Sequence, residues 1–144
     1  MKYVICYFCL ILLFILSSCS PSFDSYYEKR QNKPLPGCDR NAYLYASQEF
    51  GSIGTLMGQV LENHNANELL SLRNELLRIP IPECLEKAHI YDYMAQGFLI
   101  EALKSSNKGD ESGFQLNIKW EEWYGQQFNA EIKKADVLSL QATK

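Results

Sequence analysis

Four runs of apolar residues at three- and four-residue spacing, separated by proline-, glycine- and asparagine-rich breaks, constrain this chain more than any other feature. Such spacing puts the apolar side chains on one face of a helix. The first helix is expected after Asp39 or Asn41, both good N-cap types, with Tyr43, Ala46, Phe50, Ile53, Met57, Val60 and Leu61 facing inward. Asn65 and Glu68 have the spacing of a capping box and open a second, shorter helix carrying Leu69, Leu70, Leu72, Leu76, Leu77 and Ile79. Pro80 and Pro82 end it, because proline has no N–H for the helical ladder. Pro82 suits the first turn of a third helix with Leu85, Ala88, Tyr91, Ala95, Phe98 and Leu99, broken at residues 105–109. Ser112 and Gln115 repeat the capping spacing at the head of a fourth, lined by Leu116, Trp120, Trp123, Tyr124, Phe128, Ala135 and Leu138. Short turns between amphipathic helices predict an all-α, up-down antiparallel bundle of about four helices.

Three glycines, Gly51, Gly54 and Gly58, fall inside the first helix. Each costs up to about 1 kcal/mol in helix propensity, and close approach of another helix is the expected compensation. Ser52, Thr55, Gln59 and Glu62 make this helix too polar to span a membrane.

The N-terminus reads differently. Lys2 precedes an apolar run from Tyr3 to Leu16, shorter than the roughly 20 residues a spanning helix needs, so residues 1–18 read as a signal peptide. Leu16-Ser17-Ser18-Cys19, an aliphatic residue and two small ones before a cysteine, resembles the lipobox of bacterial lipoproteins. That resemblance implies cleavage before Cys19, acylation of its thiol, and anchoring in the cell envelope. With Ser20 next, it implies the outer membrane of a double-membrane bacterium, or the outer face of the membrane in a single-membrane one. Two acyl chains anchor a protein stably.

Cys38 and Cys84 then remain, an even pair in a compartment that favours oxidation, and they read as a disulfide. Residues 19–37 lack sustained apolar periodicity and end in Pro34-Leu35-Pro36-Gly37, which reads as a lipidated cysteine followed by a flexible tether. Residues 38–144 are left as the bundle. Its topology places the start of the first helix and the end of the second at one end, near both cysteines. The unequal lengths of those two helices stand against this, and the first is expected to be frayed or bent.

Ile81-Pro82-Glu83-Cys84-Leu85, followed by Ala88-His89 and Tyr93-Met94, resembles uncharacterised small secreted or lipid-anchored bacterial helical domains with a Pro-x-Cys-Leu-x-x-Ala-His junction. The likeness implies the same disulfide and bundle, and carries over no catalytic residue.

The chemistry-bearing residues are sparse. Glu86-x-x-His89 has the spacing of carboxylate-bridged di-iron bundles, but that chemistry needs a second such pair and further inward carboxylates. His89 is instead expected half-buried, bonded to Glu86 or Asp92. Glu121 and Glu122 are adjacent and diverge on a helix, so they form no acid–base pair. There is no nucleophile elbow and no glycine-rich phosphate loop. Basic and acidic residues are interspersed at a net charge of −3, which gives no stripe for nucleic acid. No catalytic residue, metal or cofactor is therefore expected.

The aromatic residues are the remaining candidates. Trp120, Tyr124 and Phe128 are expected to fill the core, while Trp123 and Tyr93, at the edges of their stripes, are the expected contacts for an envelope protein partner. The alternative is a small apolar-ligand or lipid-binding bundle with a pocket lined by Gly54, Met57, Phe98 and Trp120.

Overall fold

Helix formation follows the apolar spacing closely. The computed structural model describes residues 23–143, which form α1 (Phe23–Lys29), α2 (Arg40–Glu62), α3 (Ala66–Leu76), a 3₁₀ turn (Glu83–Leu85), α4 (Glu86–Asn107) and α5 (Glu111–Gln141). The expected signal peptide and the lipidation site at Cys19 lie outside the described residues. The all-α bundle is as expected, and Cys38 and Cys84 form the disulfide with Cα atoms 5.4 Å apart.

Asp39 caps α2 by accepting from the Ala42 N–H, and Asn65 caps α3 by accepting from Glu68. The cap of α5 is Asp110, whose carboxylate accepts from the Gly113 N–H. The expected Ser112–Gln115 box is therefore displaced, because Asp110 reaches the first free N–H groups two residues earlier. The third helix also starts later than expected. Pro82 precedes a 3₁₀ turn, and α-helical bonding begins at Glu86.

The length mismatch between α2 and α3 resolves without fraying. α2 is a continuous 23-residue helix, about 35 Å long, and the 11 residues of α3 return only about 16 Å of that. Residues 77–79 prolong the return as a turn bonded to Asn74, Glu75 and Leu76, and residues 80–82 complete it as open chain. Cys84 thereby comes level with Cys38.

Residues 26–37, read from the sequence as tether, lie on the bundle. Tyr26 is fully buried among Leu77, Ile90, Tyr93 and Met94. Arg30 Nη1 donates to Glu86 Oε1 at 2.9 Å, Asn32 Nδ2 to the Arg78 carbonyl, and the Gly37 N–H to Glu83 Oε2. Leu35 bridges to Pro82 and exchanges backbone bonds with Ile81 and Glu83. Any free tether therefore precedes α1.

His89 organises this arrangement. It is fully buried rather than half-buried, and its partners are neither Glu86 nor Asp92. Its Nε2 lies 2.7 Å from the Leu76 carbonyl and its Nδ1 2.6 Å from the Tyr26 hydroxyl. A carbonyl only accepts, so Nε2 carries the proton and the Tyr26 O–H donates to Nδ1. The ring also stacks on Phe50 at 5.4 Å and 9°. One imidazole thus ties α1, α2, α3 and α4 together.

The glycines of α2 do not mark a close helix approach. Gly51, Gly54 and Gly58 are exposed, and a Cβ built at any of them meets nothing within 4 Å. Their propensity cost is not offset by packing. Gly58→Ala should therefore stabilise the protein by about 0.5–1 kcal/mol and raise the melting temperature by a few degrees. Thermal denaturation followed by circular dichroism measures this, and an unchanged or lower midpoint would contradict it.

Candidate functional site

Two surface features stand out, one apolar and one mixed. The first lies on α5, where Leu116, Trp120 and Trp123 recur at the spacing of one helix face and are all exposed, the two tryptophans to 44% each. The rings are supported from below. Phe98 of α4 stacks on Trp120 at 6.0 Å and on Tyr124 at 5.5 Å, and Trp123 meets Tyr124 edge-on at 4.8 Å. Rings held this way lose little freedom on binding, which is what makes tryptophan effective at interfaces. Glu121 and Glu122 adjoin the strip. Burial, and then the neighbouring Glu122, raise the Glu121 carboxyl above its ordinary value.

The expected core assignment holds for Tyr124, which is buried, and in part for Phe128, which packs at the core edge; it fails for Trp120. Trp123 is exposed, as expected of a contact residue. Tyr93 is not: it is fully buried, with the Arg73 guanidinium 3.6 Å from its ring centroid and Tyr26 against its edge at 5.5 Å. The reason is α1, which covers the face that a four-helix bundle would leave open.

The second feature is a cleft of about 300 Å³ between α2, α4 and α5. Tyr43, Ser47, Phe50, Gly51 and Gly54 line it from α2, Asp92 from α4, and Phe128 and Ile132 from α5. It exists because the glycines put no side chain where α2 faces the α4–α5 hairpin. The four residues expected to line one pocket are placed apart. Gly54 lines this cleft, Met57 is buried in the core beside α3, and Phe98 and Trp120 belong to the aromatic strip.

Asp92 is the functional candidate that sequence reasoning missed. It accepts from Gln96 Nε2 at 3.0 Å. Burial among apolar groups pushes its carboxyl up to about 6, against the lowering effect of that hydrogen bond. No ion pair among the described residues includes it. A signal was present: Asp92 is the one carboxylate between Glu86 and Glu101, in a helix otherwise largely buried.

The donors of Glu86-x-x-His89 are committed elsewhere, Glu86 to Arg30 and both His89 nitrogens to Tyr26 and Leu76. Among the described residues no three His, Cys, Asp or Glu side chains group as metal ligands. No family model matches this chain, nor does any curated protein or solved structure.

Proposed function

We propose that this chain is a lipid-anchored protein of the cell envelope that binds another envelope protein through the Leu116–Trp120–Trp123 strip, without catalysis of its own. The observation that carries the reading is two half-exposed indole rings on one helix face, Trp120 stacked on Phe98 and Trp123 edge-on to Tyr124. Large exposed apolar side chains grouped in this way mark interaction surfaces. The lipobox-like Leu16-Ser17-Ser18-Cys19 supports the anchor. Phe23 opens α1 four residues after Cys19, and four residues span at most about 14 Å. An acylated Cys19 would therefore hold the bundle close to the headgroups. The acidic pair Glu121–Glu122 beside the strip favours a protein partner over an anionic lipid surface.

A photo-crosslinking residue at position 116, with a control at exposed Glu68, tests the strip in intact cells. A discrete protein adduct is expected at 116 and absent at 68, and the partner's co-purification should fall at least tenfold in Trp120→Ala, Trp123→Ala. Lipid adducts alone, or a partner retained by the double variant, would overturn the protein-binding reading. Cys19→Ala separately tests the anchor: it should abolish precursor processing and membrane retention, and unchanged retention would overturn that part.

A further inference from the structure

The cleft between α2, α4 and α5 has a composition that the aromatic strip does not share. Three aromatic rings, from Tyr43, Phe50 and Phe128, line it together with Ile132, and one carboxylate, Asp92, opens into it. Among the described residues, the Gln96 amide is the one hydrogen-bond donor to that carboxylate, through one oxygen. The guanidinium of α2 is already engaged: Arg40 lies over the Tyr43 ring at 5.1 Å and donates to Asp136 Oδ1 and Ser139 Oγ. A second polar atom is free, since the buried Ser47 hydroxyl has no hydrogen-bond partner among the described residues. A negative group in an apolar aromatic setting, in no ion pair among the described residues, is complementary to one kind of guest.

We infer that this cleft is a binding site for a small organic monocation with an aromatic or branched apolar body, its ammonium group paired with Asp92 and its body held among Tyr43, Phe50 and Phe128. Each part of the guest has a counterpart. The ammonium meets a carboxylate that lacks an internal counter-ion, and a charge-assisted bond there is stronger than a neutral one. The Ser47 hydroxyl can accept a second N–H. Aromatic faces attract cations and bury apolar bodies at the same time. The volume, about 300 Å³, sits at the small end of ligand sites. A neutral apolar guest would leave Asp92 buried and unpaired, and an anion would be repelled. The exposed glycines then have a role: Gly51 and Gly54 keep the mouth open at the expense of helix propensity. This site is separate from the α5 strip and does not depend on it.

Titration of the isotopically labelled full protein with phenethylammonium, followed by amide chemical shifts, tests the inference. Saturable shifts are expected at residues 43–54, 92 and 128–132. The neutral analogue 2-phenylethanol should bind at least tenfold more weakly, as should phenethylammonium to Asp92→Asn. Gly54→Leu, which places a side chain at the mouth where a Cβ meets nothing, should abolish binding while leaving the helical signal intact. This second variant keeps the test decisive if Asp92→Asn alters the fold. Equal binding of cation and alcohol, shifts confined to other residues, or no saturable shift would each overturn the inference.

Discussion

Replacing Cys38 and Cys84 together with serine is expected to lower the stability of this protein by about 4 kcal/mol. The bridge closes a loop with a sequence separation of 46 residues, and chain-entropy arguments give that magnitude for a loop of this length. Domains of this size are stable by only about 5–15 kcal/mol, so the bond supplies a large fraction of the total. A loss of that size corresponds to a fall of about 15 °C in the melting temperature. Thermal melts with and without reductant, and of the double-serine variant, measure it. The location explains why other contacts do not substitute. The bond fixes the N-terminal end of α2 to the 3₁₀ turn that starts α4, where the chain leaves the turn at residues 77–79 and runs without a helical ladder through residues 80–82. A shift of only a few degrees would show that Arg40–Asp136 and the core contacts of α2 hold that end unaided.

The second large effect is a pH dependence made of two opposed parts. Burial drives the His89 pKa down to about 4, against the raising effect of the Leu76 carbonyl, with the positive charge of Arg30 lowering it further. In the unfolded chain the imidazole titrates near 6.5. As the pH falls, the unfolded state therefore takes up its proton first. The stability linked to His89 is complete above about pH 6.5 and is lost as the pH falls to about 4, a change of roughly 3 kcal/mol. Asp92 works in the other direction. Its folded carboxyl holds a proton up to about pH 6, well above the unfolded value, so it destabilises the protein at neutral pH and that penalty is relieved on acidification. The two groups oppose each other across nearly the same interval. Urea denaturation at pH 7.5, 5.5 and 4 should show a shallow dependence for the wild type. Asp92→Asn should be more stable at pH 7.5 and lose stability steeply on acidification. A variant as shallow as the wild type would refute the opposition.

The helices were legible because each rests on several apolar residues in phase, and one ambiguous position does not spoil a periodicity. Proline and the Asn65 cap fixed the breaks, and the pair Cys38 and Cys84, the two cysteines beyond the expected signal peptide and Cys19, pointed to the bridge. α1 was not legible. It is seven residues long and is fixed by single side chains, Tyr26, Arg30 and Asn32, whose partners lie more than 40 residues away in sequence. No periodic signal can arise from that. Missing α1 also misplaced Tyr93, since an off-stripe tyrosine looks exposed until another element is laid over it. α4 is buried on more than one face, which blurs the contrast that sequence patterns depend on. The cleft was missed for a related reason. Glycines in a helix signal missing volume, but only the structure shows whether another helix or open space fills the gap. Asp92, an ordinary polar residue by pattern, takes its character from the rings around it.

The Cys38–Cys84 bridge also determines which parts of the molecule bear mechanical load. A pull on the N-terminus would first peel α1, then the contacts of Asn32, Leu35 and Gly37, one after another. At Cys38 the peeling stops, because force passes through sulfur to Cys84 and on into α4. Residues 39–83, with all of α2 and α3, lie inside the closed loop and feel no tension along their backbone. The α2 wall of the Asp92 cleft is therefore mechanically shielded. A protein held by its N-terminal end can be tugged without unwinding the helix that shapes that site.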